Sequence, residues 1–422
     1  MTEHTTCLIA GGGPAGMMLG LLLARAGVAV TVLEKHDDFL RDFRGDTVHP
    51  STVRLLDELG LGERFAALPQ SALDRVAFPL GGGRVVTVAD FRRLPGPYRH
   101  IAMVPQWDLL DLLASAAGEE AAFTLRTGTE VTGLLREGGR VVGARYRGPG
   151  GEGEIRADLT VACDGRGSLV RREAGLVPRE FPVGIDAWWF RLPGASEHVT
   201  ALTPRVGLGR FLVVIPREDF LQVAYIGRKG TDRELRARGV EAFRADVAEL
   251  LPELPDQVGA LESMDQVKHL DVRLNRLRRW HTDGLLCIGD AAHAMSPIGG
   301  VGINLAVQDA VAAATLLAGP LRAGRADAGA LARVRRRRLL PTVVVQLLQR
   351  VMEKLLAQPM IQGRRLGPPR PVLALVEHLP FLTAVPARLI GLGLRSEHAP
   401  GFARRRPARS PRAGGTDPAP GP

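Results

Sequence analysis

Cysteine is scarce in this chain of 422 residues: Cys7, Cys163 and Cys287 are odd in number, and each sits inside an apolar run. That excludes a disulfide framework and fits small buried hydrophobes in a reducing compartment. Lysine is scarcer relative to arginine, with only Lys35, Lys229, Lys268 and Lys354 among 55 basic residues. The net charge of +10 accompanies 50 Gly and 30 Pro and reads as a compositional habit. A nucleic-acid footprint needs basic residues gathered on one face. No run reaches the ~18 uninterrupted apolar residues that a bilayer span needs, and the nearest approach, Val372 to Leu394, is broken by Glu377, Pro380, Pro386 and Arg388. No basic region leading into an apolar core opens the sequence, so the expected compartment is the cytoplasm. Metal-ligand spacings of Cys and His, a Walker loop, G-x-S-x-G and repeats of 20 to 50 residues are all missing. What is abundant is apolar residue, 45% of the chain, enough for one large or two medium cores and incompatible with disorder throughout.

Residues 7 to 34 read as a βαβ unit: Cys7 to Ala10, glycines, a helical run from Met17 to Ala26, then Val28 to Leu33. Ser51 to Leu59 carries apolar residues at helical spacing, with Ser51 or Thr52 placed to cap it. From Val76 to Val104 the pattern shifts to short alternating pieces, including residues 84 to 88. A helix is expected over Leu109 to Ala117 and a hairpin from Arg140–Tyr146 to Glu154–Val161 around the turn at Gly148 to Gly151. Strands follow at Phe211–Ile215 and Leu221–Ile226, a helix at Val240–Leu251, an apolar strand at Gly284–Ile288, and long helices over 302–317 and 330–356. The tail from Gly401, with Arg404, Arg405, Arg406, Arg409 and Arg412 among prolines and glycines, is expected to be disordered.

Chemistry is concentrated at two glycine-rich turns. Gly11-Gly12-Gly13-Pro14-Ala15-Gly16 fits G-x-G-x-x-G between a strand and a helix. The first glycine permits the turn, the second admits a pyrophosphate, and the third lets helix pack on strand. The helix N-terminus offers free N–H groups to phosphates, and Glu34, about 20 residues on, stands where a carboxylate accepts ribose hydroxyls. This predicts a dinucleotide carrying adenosine without separating FAD from NAD. The second turn, Leu285 to Asn304, places Asp290 directly after an apolar strand, then Pro297, Gly299, Gly300 and Gly302 at the start of another helix. That arrangement suits a polar chain joined to a flat ring.

With a third motif the chain resembles the FAD-dependent aromatic hydroxylases of the para-hydroxybenzoate hydroxylase type, the group A flavoprotein monooxygenases. The three are Gly11–Gly16 with Glu34; the Asp-Gly motif, with Asp164, Gly165, Ser168 and Arg171 in its key positions and Cys163 replacing the usual Ala; and Gly289-Asp290 through Pro297, Gly299, Gly300, Gly302 and Asn304. They span roughly three quarters of the chain. The resemblance implies an α/β fold in which a Rossmann-like FAD-binding domain interleaves with a smaller mixed β-sheet substrate domain, followed by C-terminal helices. The expected division is 1–75, 103–180 and 275–356 for the discontinuous FAD domain, 76–102 and 181–274 for the substrate domain, 357–400 for a helical segment and 401–422 for the tail.

The resemblance also assigns residues. Gly11, Gly13, Pro14, Ala15 and Gly16 would meet the pyrophosphate, Glu34 and Lys35 the adenosine ribose, and Gln106, Val131, Asp164 and Asp290 other parts of non-covalently bound FAD. Pro297, Gly300, Gly302, Ile303 and Asn304 would face the isoalloxazine ring. Arg44 and Pro297 stand next to the flavin as the catalytic candidates, and no catalytic base emerges. The implied reaction takes NAD(P)H and dioxygen, forms a hydroperoxide at flavin C4a, and hydroxylates or epoxidises an apolar, aromatic or polycyclic small molecule. A reductase or dehydrogenase of the same fold is the alternative. The Trp-x-Trp-x-Ile-Pro signature of the related flavin halogenases is absent, and no second dinucleotide fingerprint provides a separate NAD(P)H domain. Expected substrate walls are Trp188, Phe190, Phe211, Gln222, Ala224 and Tyr225. His293 reads as a packed residue orienting its turn, and His49 as equally a loop-ordering or a site residue. The segment 372–394 is expected to pack on the FAD domain, contact with a partner chain or weak peripheral contact with a membrane being the other readings.

Overall fold

A computed structural model describes residues 3–40, 47–79, 85–194, 204–217, 219–364 and 370–405. Strand β1 (Glu3–Ala10) ends in Cys7, Leu8, Ile9 and Ala10, none more than 1% exposed. An unbroken apolar run is what a strand covered on both faces requires. Helix α1 (Pro14–Arg25), with 10 of its 12 residues buried, follows at once and leads into β2 (Val30–Leu33). Helix α2 (Pro50–Glu58) comes next, then β3 (Phe123–Arg126) and β4 (Gly151–Ala162). β1 lies between β4 and β2, with β3 outside β2, all parallel. The hairpin of Glu130–Glu137 and Arg140–Gly148 adds antiparallel to β4.

The chain then builds a separate antiparallel sheet of five strands around β5 (Ile185–Pro193), β6 (Arg210–Pro216) and β7 (Phe220–Arg228). Short helices at Asp232–Ala237, Gly239–Leu250 and Pro255–Gly259 cover one of its faces. Returning to the first sheet, β8 (Leu285–Cys287) pairs parallel with β4. Helices α3 (Gly302–Arg322) and α4 (Ala328–Met352) follow, and α3 packs on α1. Among the described residues α3 is the one helix long and apolar enough to cross a membrane, yet 78% of its most apolar window is buried inside the protein.

Helix α5 (Ala384–Gly391) leads into a strap that wraps the first sheet's helices. Its Ser396 hydroxyl accepts from Arg54 Nη2 at 3.0 Å, Ala399 N–H donates to Glu58 at 2.7 Å, and the Ala403 carbonyl accepts from Arg25 Nη1 at 3.0 Å. This corrects the expectation of disorder from Gly401: residues 401–403 form a 3₁₀ turn with Ala403 fully buried, because Arg25 holds its carbonyl. Of the expected tail, residues 406–422 lie outside the described residues. Within 372–394, Leu373 and Ala387 are buried while Leu375, Phe381 and Val385 are exposed. The three cysteines are unpaired, and burial pushes the Cys7 thiol up to about 12 and Cys163 and Cys287 well above the ordinary range. Such thiols are unreactive.

Candidate functional site

The two glycine-rich turns meet at one edge of the first sheet. Gly11 has φ +101°, and a Cβ there would lie 2.5 Å from the Cys163 carbonyl oxygen. A Cβ on Gly16 would lie 2.0 Å from the Gly11 carbonyl oxygen. These two glycines are demanded by the fold itself. Gly13 differs, since a Cβ there would meet nothing within 4 Å. It caps α1 in extended conformation, with no side-chain cap and no acidic residue in the first turn. Among the described residues the N–H groups of Gly13, Ala15 and Gly16 take no acceptor. Open space over bare, unpaired N–H groups at a helix start is what a pyrophosphate needs.

Glu34, 2% exposed, accepts from Gly12 N–H at 2.7 Å and His36 N–H at 3.0 Å. These bonds hold its carboxylate beside the fingerprint. Lys35 is exposed next to it, and Val131 packs half-buried near Leu33. Gln106 is the first residue of the helix Gln106–Gly118 and is half-buried. Arg44 lies outside the described residues.

In the Asp-Gly motif the carboxylate has partners within the protein. Asp164 accepts from Ser168 Oγ at 2.5 Å and Val170 N–H at 3.0 Å, so its carboxylate orders the start of the helix Leu169–Glu173. Burial raises its carboxyl above the usual range despite those bonds. Arg171, 5% exposed, then ties the motif to the second turn by donating to the Ala291 carbonyl at 3.0 Å. Asp290 remains a third exposed, 3.6 Å from Arg166. Its neighbour Gly289 has φ +58°, and a Cβ would come within 3.2 Å of Ala15 and 3.3 Å of Ala306. Hence Asp290 is held beside the start of α1.

Behind that turn lies a charge cluster that sequence reasoning missed. Asp309, fully buried on α3, accepts from His293 Nε2 at 2.6 Å, Arg338 Nε at 2.9 Å and Gly289 N–H at 3.2 Å. Burial pushes its carboxyl up, but His293 and Arg338 outweigh burial and hold it below the usual carboxylate range. Arg338 also donates to the carbonyl of Arg395 at 3.4 Å, whose φ of +80° makes it the one left-handed non-glycine described. His293 is thus the packed, turn-orienting residue the sequence suggested. Asp309, the one acidic residue of α3, was the signal for the rest.

The loop from Pro297 to Asn304 is gripped from α2. Gly299 and Gly300 have φ +82° and +60°, and a Cβ on Gly300 would lie 2.4 Å from Thr47 Oγ1. The Asn304 side-chain oxygen accepts from Ser51 Oγ at 3.0 Å and from Thr52 Oγ1. Ser51 and Thr52 therefore do not cap α2. Its N-cap is His49, because Pro50 has the fixed φ that suits the first helical position. Gly302, at the start of α3, faces open space, and Ile303 is 7% exposed beside it. Both helix starts thus present the bare backbone that fits an FAD molecule.

The second sheet turns one face to this loop. Phe211, Ala224 and Ile226 pack with Ile298, and Trp189 and Val213 are on the same side. Gln222, 1% exposed, is also on it and accepts from Arg217. Trp188, Phe190 and Tyr225 point the other way, into the core under the covering helices. This corrects three of the expected walls: strand alternation puts Trp189, not Trp188 or Phe190, on the cleft side. Trp188 instead donates to Asp232 at 2.7 Å and makes an edge contact with Tyr225.

Comparison with known proteins agrees with this geometry. The model of the FAD binding domain family matches residues 4–349. The chain is similar to 6-methylpretetramide 4-monooxygenase of Streptomyces rimosus, 39% identical over 324 residues, 76% of each chain. It is 32% identical over 316 residues to 12-dehydrotetracycline 5-monooxygenase/anhydrotetracycline 6-monooxygenase of Streptomyces rimosus, spanning 72% of this chain and 60% of that relative. Among solved structures, anhydrotetracycline hydroxylase of Streptomyces rimosus superposes with a TM-score of 0.74 at 25% identity, over 94% of this chain and 77% of that one.

Proposed function

Since the chain belongs to the FAD binding domain family, within the flavoprotein monooxygenases of the para-hydroxybenzoate hydroxylase type, we propose that it hydroxylates a polycyclic aromatic small molecule using NAD(P)H and dioxygen. The observation that carries the reading is that two uncapped helices, α1 and α3, come together at Gly289, which lies against Ala15 of one and Ala306 of the other, while an apolar sheet face packs on the loop before α3. Bound FAD supplies the redox and oxygen-activating chemistry, and the protein supplies binding, orientation and shelter. Gly11, Gly13 and Gly16 would hold the pyrophosphate with the N–H groups of Ala15 and Gly16, and Glu34 the ribose. Asp290 would hold the polar chain and the backbone from Pro297 to Asn304 the ring. A flat substrate would lie on Phe211, Val213, Ala224 and Trp189, with Gln222 at the polar end. These apolar walls exclude water from the reacting centre. The similarity to enzymes named for tetracyclic substrates supports the size class.

The test is turnover of hydroxylated anthraquinones and naphthacenes by the purified, FAD-loaded protein under ¹⁸O-labelled dioxygen. Label in the product is expected. Consumption of NAD(P)H with no label in any product would establish the reductase reading instead.

A further inference from the structure

We propose that His49 is a positioning residue of the flavin site: together with Thr47 it grips the Gly300 carbonyl from behind and so aims the Val301 N–H at the ring. His49 is fully buried. Its Nε2 lies 2.9 Å from the Gly300 carbonyl oxygen, and Thr47 Oγ1 donates to that same oxygen at 2.6 Å. A trans peptide is planar, and its C=O and N–H point in opposite directions. Fixing the Gly300 oxygen against Thr47 and His49 therefore turns the Val301 N–H away from them, and at the next residue, Gly302, a Cβ would meet nothing within 4 Å. Among the described residues the N–H groups of Val301, Gly302, Ile303 and Asn304 take no acceptor. A peptide next to two left-handed glycines has little conformational preference of its own. Its orientation must come from outside the loop, and the carbonyl contacts described are those from Thr47 and His49.

The other ring nitrogen makes the residue a bridge. His49 Nδ1 lies 2.8 Å from the Ile390 carbonyl oxygen at the end of α5. Ser51, two residues on, shares its one hydroxyl proton between the next carbonyl, Gly391, at 3.1 Å and the Asn304 side-chain oxygen at 3.0 Å. The imidazole thus stands between two carbonyls, one on the flavin-facing loop and one at the end of α5. Burial pushes its pKa below the ordinary value, so the ring is neutral and its single N–H, when on Nε2, donates to Gly300. Glutamine keeps the capacity to donate, but on a flexible stem it does not fix the donor as the rigid, packed ring does. The chemical class recognised by the aimed N–H is an acceptor oxygen or nitrogen at the edge of a flat heterocycle. A donor there stabilises negative charge that reduction places on the ring.

The inference rests on FAD occupying this cleft. Its test uses the full chain saturated with FAD, in wild type, His49→Gln, His49→Ala, Thr47→Val and Thr47→Ser. Both His49 variants are expected to bind FAD about tenfold more weakly, about 1.4 kcal/mol, to lower the midpoint potential of bound flavin and to alter its visible absorption bands. Thr47→Val should move all three readouts the same way by less, and Thr47→Ser should restore them. A general loss of packing lowers melting temperature and FAD content but leaves the potential of the bound fraction in place. The proposal is overturned if the potential and spectrum at saturation match wild type in His49→Gln or, should the His49 variants fail to fold, if Thr47→Val and Thr47→Ser behave alike. Failure of the wild-type chain to retain any flavin overturns the cleft assignment instead.

Discussion

The starts of α1 and α3 face the same cleft and present the same bare backbone, yet they are built by opposite means. The start of α1 is held by what is absent: Gly11 and Gly16 leave no room for a Cβ, and no side chain caps the helix. The start of α3 is held by what is added: Thr47, His49, Ser51 and Thr52 reach it from a distant part of the chain, and Asp309, one side chain of α3 itself, backed by Arg338, holds the turn before it at Gly289. A pyrophosphate needs only a close, polar backbone, so steric design suffices. A flat ring whose chemistry depends on nearby donors needs those donors aimed, and aiming takes support from behind.

The largest effect should come from the side-chain-built end. Asp309→Ala takes away the carboxylate that Arg338 Nε and His293 share and leaves the buried guanidinium only Glu397, 3.6 Å away, and removing one partner of a buried pair costs about 3–5 kcal/mol. Urea unfolding with flavin fluorescence as a second probe measures it, and a midpoint equal to wild type would remove Asp309 from its place as the hub. At the glycine-built end, Gly16→Ala forces a methyl onto the Gly11 carbonyl and should cost about 1–3 kcal/mol as overpacking, with loss of bound FAD. Gly13→Ala sharpens the contrast. It should leave the melting temperature unchanged and still weaken FAD binding about tenfold, because its methyl enters the space assigned to phosphate. Equal effects of the two alanines on stability would break the distinction.

Acid should separate the two ends as well. Asp309 titrates lower folded than unfolded, since His293 and Arg338 overcome the effect of burial. A depressed carboxyl contributes its stability above its unfolded pKa, about 4, and loses it as pH falls through the lower folded value. The stability gap between wild type and Asp309→Asn is therefore expected to be constant from neutral pH to about 4 and to narrow below it. A gap that widens on acidification has the wrong sign for this cluster. The smallest change is Ser51→Ala, about 0.5–1.5 kcal/mol for a hydroxyl shared by Asn304 and Gly391, read by thermal unfolding with FAD retained.

The same contrast decides what could be read from sequence. The first fingerprint and Glu34 announce themselves because their chemistry is local: a strand, a turn and a helix start within 24 residues. The parallel sheet was legible for the same reason, as runs such as Cys7–Ala10 fit only a doubly covered strand. The partners of Asn304 lie more than 250 residues away, so Ser51 and Thr52 looked like caps. Trp188 and Trp189 are adjacent in sequence, and which of them faced the cleft hung on a one-residue phase that the strand's sequence does not reveal. The ordering of residues 401–405 depends on Arg25, a contact across 378 positions that composition alone points against.

The strap from Ile390 to Ala403 gives the protein a timetable during its synthesis. The β1–α1–β2 unit leaves the ribosome early and can collapse onto its own apolar faces, since domains form progressively as the chain emerges. Its partner turn does not have that freedom. Until residues 390–403 have emerged, His49, Arg54, Glu58 and Arg338 lack acceptors or donors they bond in the finished molecule. A nascent chain stalled near residue 380 would therefore own an intact dinucleotide fingerprint and a loosely backed ring site, and it should hold adenosine phosphates better than it holds the whole flavin.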